Sequence, residues 1–171
     1  MTIKRTLVLV TLLVITGILT CGYMLQSEQE KFEMTILQLG DSSNSPACLQ
    51  MYNLIERKSE ENSIPKYILY NVAWLETRYG GPFDWDYNPK LTSSAHAYGA
   101  MQIQVPTASY TWGKPVTSKQ LLNDLELNVK ISMKLLSTLH KRFGSWGLAL
   151  GCYNTGRPMV NGYALKILNK K

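Results

Sequence analysis

The sequence predicts a mainly α domain with at most a small β element, set behind an N-terminal hydrophobic leader. Apolar residues recur at helical spacing in several separate stretches beyond residue 46. Helix start and stop residues bracket those stretches, and the first 27 residues contain a long uncharged run. Of the 171 residues, 45% are hydrophobic and only 18% charged, which suits one domain with a buried core. Three Cys are too few for a disulfide scaffold.

The leader comes first. Lys4 and Arg5 precede a 22-residue uncharged run from Thr6 to Ser27. That length suffices for a helix to cross the hydrocarbon layer, which takes about 20 residues. Basic residues before the run and Glu28, Glu30 and Glu33 after it place the N-terminus inside and the remainder outside. Residues 1–27 are therefore expected to be a signal peptide or an N-terminal membrane anchor, with cleavage left open because no A-x-A site is present. Ile18-Leu19-Thr20-Cys21 is a poor acylation box, since Thr is bulky immediately before the Cys. Residues 28–46 read as a polar stalk that ends in the turn-rich Gly40-Asp41-Ser42-Ser43-Asn44-Ser45-Pro46, leaving 47–171 as the folded domain.

Within that domain, Ser45-Pro46 opens a helix with an apolar face of Leu49, Tyr52, Leu54 and Ile55. A second opens at Ile64-Pro65, carries Ile68, Leu69, Val72, Ala73 and Leu75, and is expected to stop at Gly80-Gly81. Residues 82–98 are aperiodic and aromatic, a long loop, and Pro106 starts a short helix. Asn123-Asp124-Leu125-Glu126 caps a long helix through Leu127, Ile131, Leu135 and Leu139 to Phe143-Gly144. Ser145 begins another, broken at Gly156 and Pro158, and a last helix lies around Val160–Leu168.

The net charge of +6 suggests a polyanion partner until it is divided along the chain. Residues 28–61 hold seven acids and three bases, a net of −4; residues 62–171 hold thirteen bases and five acids, a net of +8. The surplus faces whatever lies beyond the cytoplasmic membrane, where the bacterial wall with its peptide carboxylates is the anionic polymer. No nucleic-acid recognition signature occurs. Export makes Cys48 and Cys152 disulfide candidates, with two ordinary buried thiols an equal account.

Glu76 stands out by position. It lies three residues after Ala73 and seven after Leu69, on the edge of the apolar stripe, in the last turn before Gly80. The negative end of the helix dipole and an apolar setting both raise a carboxyl pKa, as a general acid near neutral pH requires. From position alone, a surface Glu paired with Arg78 or Lys66 is the stronger account.

The neighbouring segments change that balance. Glu76-Thr77-Arg78-Tyr79, Asn88-Pro89-Lys90, Ser93, Gly99-Ala100-Met101-Gln102-Ile103, Pro106-Thr107-Ala108 and Cys152-Tyr153-Asn154-Thr155-Gly156 occur in one order. Together they resemble the lytic transglycosylases with a soluble-type (SLT), goose-type-lysozyme-like catalytic domain, over roughly residues 64–168. The family has a catalytic Glu element, a G-L-M-Q-I element and an A-Y-N-A-G element. Thr77, Ala100, Cys152 and Thr155 depart from it at size-tolerant positions, and His96 stands where a Gly is common.

The resemblance implies a lysozyme-like helical fold and cleavage of the MurNAc-GlcNAc β-1,4 bond of peptidoglycan without water, giving a 1,6-anhydromuramoyl end. It implies that Glu76 is the catalytic acid and then base. It implies substrate contacts from Ser93, near the muramoyl sugar, and from Gly99, Met101 and Gln102, which line the glycan cleft, with a side chain at 99 obstructing the sugar. Tyr153 and Asn154 match the pair facing Glu76, the Tyr hydroxyl placed to hydrogen-bond it, and Tyr163 matches a further aromatic near the site. The implied partners are peptidoglycan glycan strands, the cytoplasmic membrane through the N-terminal segment, and an assembly partner from a secretion, conjugation or phage machine; no nucleic acid is implied. The expected location is extracytoplasmic, on the periplasmic or cell-wall side.

Most glycosidases use two carboxylates, whereas this family uses one with help from the substrate N-acetyl group. A hydrolytic lysozyme stays open as an alternative if Asp84 or Asp86, in the loop 80–92, faces the bond from the other side. A wall-binding module without catalysis is the second alternative. Loop aromatics Tyr79, Phe83, Trp85, Tyr87 and Tyr98 suit sugar stacking or a satellite core. His96 and His140 lie far apart without an acidic cluster, so neither a metal site nor a cofactor is expected. G-x-S-x-G and phosphate-loop motifs do not occur.

Overall fold

The computed structural model describes residues 2–42 and 44–170, with side chains from residue 18 onward. Two compact units result, Met1–Gln38 and Leu39–Lys171. Among the described residues the element order is α1 (Thr2–Leu39), α2 (Ala47–Glu61), α3 (Lys66–Thr77), β1 (Ala97–Tyr98), β2 (Ile103–Gln104), α4 (Val105–Trp112), α5 (Ser118–Asn123), α6 (Leu125–Phe143), α7 (Trp146–Thr155) and α8 (Gly162–Leu168). The expected mainly α architecture with one small β element is what the chain adopts.

The first unit is helical throughout its described length. Its polar end stays helical beyond Glu28: the helix runs to Leu39. Side chains three and four residues apart support it, with Lys31 on Glu28 at 2.7 Å and amide-to-carboxylate bonds from Gln26 to Glu30 and from Gln29 to Glu33, each 3.2 Å. Among the residues with described side chains, no helix is long and apolar enough to cross a membrane. The expected anchor falls largely on residues 1–17, whose side chains lie outside those described.

The second unit begins earlier than residue 47, because the turn after Leu39 is fastened to α2. Asn53 Nδ2 donates to Asp41 at 2.6 Å, Arg57 pairs with Asp41 at 2.9 Å, and Gln50 Nε2 donates to the Ser45 carbonyl at 2.6 Å. Polar residues of 40–46 thus hold a turn against α2.

α6 is the axis of this unit. Val129, Ile131, Met133 and Leu136 are fully buried, and α2, α4, α5 and α7 all pack on it. Asp124 caps its first turn by accepting from Leu127 N–H at 2.9 Å, while His140, Lys141 and Arg142 sit favourably at its negative end. The short α5 was not expected, although Thr117-Ser118-Lys119-Gln120 forms a full capping box at its start. α3 ends at Thr77, before Gly80, because Arg78 takes the left-handed conformation at φ 63°. Its amide bonds the Trp74 carbonyl at 3.0 Å.

β1 and β2 form an antiparallel hairpin, with Ala97 opposite Gln104 and Tyr98 opposite Ile103. Gly99 enters the loop between them at φ 80°, and Gln102 leaves it at φ 47°. Cys21, Cys48 and Cys152 are free thiols, so the Cys48–Cys152 disulfide does not form.

Candidate active site

A cleft of about 500 Å³ opens between the hairpin, α4, α6 and α7. Glu76, Ser93, Gln102, Tyr153 and Asn154 line it together, joined by Thr107, Leu135, Leu139 and Cys152. Five of the eight residues singled out by sequence therefore meet around one space.

Glu76 is the sole carboxylate among the residues lining the cleft. Neither expected surface partner engages it. Lys66 pairs with Glu56 at 2.6 Å, and the Arg78 guanidinium lies 5.5 Å from the Trp74 ring. Instead Tyr163, on α8, donates its hydroxyl to Glu76 Oε1 at 2.6 Å. Burial pushes the Glu76 carboxyl up to about 7, and the Tyr163 bond opposes the rise by favouring the charged form. Desolvation is thus the acting cause.

The expectation for Tyr153 needs correction. Its hydroxyl donates to the Met101 carbonyl at 2.6 Å rather than to Glu76. The reason is placement: a tyrosine on α7 faces the hairpin loop, whereas one on α8 reaches the end of α3. Tyr153 still lines the cleft, and burial holds its phenol well above the usual range. Asn154 is exposed and accepts from Asn161 Nδ2 at 3.3 Å.

Gly99 and Met101 lie behind the cleft wall. A Cβ at Gly99 would collide with the Asn128 side chain and the Leu121 carbonyl, so close packing of the loop on α6 requires a bare backbone there. Met101 is fully buried, its amide donating to Asn128 Oδ1 at 3.0 Å. Gln102 lines the cleft while its Nε2 holds the carbonyls of Leu91 and Gly99 at 3.0 and 2.9 Å. Ser93 Oγ accepts from Ala97 N–H at 3.1 Å and closes the turn that leads into β1. His96, in that turn, has φ 55°, a conformation that explains why Gly suits the position.

Two residues that sequence did not assign complete the frame. Asn128, wholly buried on α6, donates to the Tyr98 and Leu121 carbonyls at 2.8 and 3.1 Å besides gripping Met101. Thr77 Oγ1 donates to the Ala100 carbonyl at 2.9 Å and meets the Tyr87 hydroxyl at 3.1 Å. The residue after Glu76 is thereby tied to the loop that forms the opposite wall.

The loop 80–92 contributes no acid to this cleft. Asp84 Oδ2 accepts from Gly80 N–H at 2.9 Å, and Asp86 is exposed; neither is among the lining residues. Tyr79 and Tyr87 are core residues, their rings 4.9 Å apart and the Tyr79 hydroxyl on the Cys48 carbonyl at 2.9 Å. Phe83 and Trp85 are exposed. Among the described residues no group of His, Cys, Asp and Glu could hold a metal ion.

A helical unit with a hairpin-edged cleft and one buried carboxylate belongs to the lysozyme-like class. The family profile of the transglycosylase SLT domain matches residues 53–166, and the chain belongs to that family. No curated protein matches the chain. Among solved structures, the X-ray structure of an inactive mutant of lytic transglycosylase Slt from Pseudomonas aeruginosa is similar, at 22% identity and a TM-score of 0.48. That match covers 60% of this chain and 16% of that one, so the chain spans a small part of its relative's length.

Proposed function

We propose that the Leu39–Lys171 unit is an extracytoplasmic peptidoglycan lytic transglycosylase domain. The observation that carries this is Glu76: one buried carboxylate in the cleft, raised to about 7, with no second acid lining it. A carboxyl at that pKa is substantially protonated at neutral pH and can donate to a leaving oxygen.

The chemistry then runs through a single residue. Glu76 gives its proton to the glycosidic oxygen between N-acetylmuramic acid and N-acetylglucosamine. The C1–oxygen bond breaks and the N-acetylglucosamine side leaves with a free 4-hydroxyl. The substrate's N-acetyl group stabilises the positive charge left at C1 of the muramoyl sugar. Glu76, now a carboxylate, removes the proton of the C6 hydroxyl as that oxygen bonds C1. The proton returns to Glu76, no water is consumed, and the product is the 1,6-anhydro end. Tyr163 occupies Oε1, which leaves Oε2 to carry the proton. Ser93, Gln102, Tyr153 and Asn154 contact the glycan, while Gly99 and Met101 shape the wall from behind.

Residues 1–27 serve as an export leader or membrane anchor, supported by the basic start and the uncharged run. The experiment is digestion of murein with mass analysis of the products. Anhydro ends are expected. Reducing ends would instead make the enzyme a hydrolase, and absence of products would make the domain a binding module. A Glu76→Gln variant with full activity would overturn both enzymatic assignments.

A further inference from the structure

The loop 80–92 gives the cleft no acid, yet it is fastened both to the helix that carries Glu76 and to the hairpin loop that carries Gln102. At its far end the Leu91 carbonyl accepts from Gly99 N–H at 2.9 Å and from Gln102 Nε2 at 3.0 Å. At its near end Asp84 clamps it to the residues after α3. The Asp84 carboxylate takes Gly80 N–H at 2.9 Å, and its carbonyl takes Tyr87 N–H at 3.0 Å. The Tyr87 side chain then returns to Thr77, the residue that follows Glu76.

The hydrogens of this cluster have one consistent order. Thr77 has a single hydroxyl hydrogen and two carbonyls in reach, Ala100 at 2.9 Å and Ala73 at 3.3 Å. The shorter bond goes to Ala100, which is 1% exposed, so water does not stand in for Thr77 there. The Ala73 carbonyl also receives Tyr79 N–H at the end of α3. Thr77 Oγ1 is left to accept from the Tyr87 hydroxyl at 3.1 Å. Burial pushes the Tyr87 phenol up to about 12, which the Thr77 contact only partly offsets, so it keeps its proton at neutral pH. The chain from Tyr87 through Thr77 to the Ala100 carbonyl runs in one direction, and each bond polarises the next.

We propose that Tyr87 is a positioning residue for the cleavage reaction: by donating to Thr77 it fixes the separation between Glu76 and the hairpin loop that carries Gln102. The assignment rests on the glycan-cleaving function above and adds to it a residue outside the cleft lining. Tyr87 acts through Thr77 and the Ala100 carbonyl, two residues before Gln102.

The test compares Tyr87→Phe with Tyr79→Phe in the full chain. Each removes one buried phenol hydroxyl and keeps the ring, and the two rings lie 4.9 Å apart. The Tyr79 hydroxyl, however, bonds the Cys48 carbonyl and stands outside the chain to Ala100. At a temperature where both variants are folded, Tyr87→Phe is expected to lower kcat on murein about 5-fold, with a smaller change in KM. Its pH dependence should not shift, because the pair fixes a distance and carries no charge. Tyr79→Phe is expected to lose comparable thermal stability and keep its kcat. Thr77→Val should lower kcat about 10-fold, and adding Tyr87→Phe should lower it no further. Thr77→Ser retains the hydroxyl and should retain both the rate and the sensitivity to Tyr87→Phe. An unchanged kcat in Tyr87→Phe, an equal loss in Tyr79→Phe, or losses that multiply in the double variant would overturn the assignment. Hydrogen exchange at the Gly99, Met101 and Gln102 amides reads the brace without cleavage: it should quicken in Tyr87→Phe and not in Tyr79→Phe. A chain that cleaves no murein but shows that difference loses the transglycosylase reading and keeps the brace. Unchanged exchange removes the brace whatever the reaction.

Discussion

Tyr163 and Glu76, 87 residues apart in sequence, meet in a 2.6 Å hydrogen bond. The bond works against burial: one stabilises the carboxylate, the other disfavours it, and burial prevails at about 7. In the proposed mechanism Glu76 must start protonated, so kcat/KM should be full below that pH and fall above it. Tyr163→Phe removes the stabilising donor, so the descending limb should move up by about one pH unit. Turnover should drop as well, since the carboxylate formed in mid-reaction loses its partner. A pH–rate profile with an unmoved limb would deny the bond this role.

Glu76 also costs stability. Its folded pKa of about 7 lies above the ordinary 4.5, so the folded state binds more protons than the unfolded state between those values. Stability should therefore decline as pH rises from 4.5 to 7 and level off above, by about 3 kcal/mol in total. Glu76→Gln, which cannot ionise, should lack that decline. Urea denaturation of both proteins at pH 4.5, 6 and 8 would show whether their stabilities diverge.

Much of this site is readable from the chain because its signals are local. Glu76 sits at the edge of an apolar stripe, and Asp124 and Ser145 precede apolar runs that become α6 and α7. What sequence does not disclose is pairing at a distance. Nothing in the order of residues says that Tyr163 rather than Tyr153 reaches Glu76, since that depends on how α8 packs on α3. Asn128 is similarly silent: a single Asn on a buried helical face gains meaning only from partners 27 and 30 residues away. Thr77 looked size-tolerant, yet its hydroxyl is what bridges to Ala100. The polar run 28–39 is a different case: polarity predicts exposure and says little about whether an exposed segment is helical, as this one is.

Gly99 provides a check on the cleft wall. Its φ of 80° strains any other residue, and its Cβ would strike Asn128 and Leu121. Gly99→Ala should lower stability by roughly 2–4 kcal/mol. Because the collision is with the packing behind the loop and not with substrate, KM should change less than thermal stability. Thermal denaturation alongside initial rates at low temperature separates these; a purely kinetic defect in a fully stable protein would return Gly99 to the sugar-facing side.

The thiols give an independent test of the geometry. Cys152 is partly exposed and lines the cleft with Glu76, whereas Cys48 is 1% exposed and burial pushes its thiol pKa up. Only the thiolate reacts, so a bulky maleimide should modify Cys152 and spare Cys48 until the domain unfolds. The adduct would fill the cleft beside Glu76, so on the proposed function activity should fall in step with labelling at Cys152. Cys152→Ser should remove the inhibition and the labelling at that position, leaving the exposed Cys21 to react, while keeping most of the turnover because the smaller side chain leaves the cleft open. Labelling that reaches completion at Cys152 without affecting cleavage would place the bound strand away from the α7 wall.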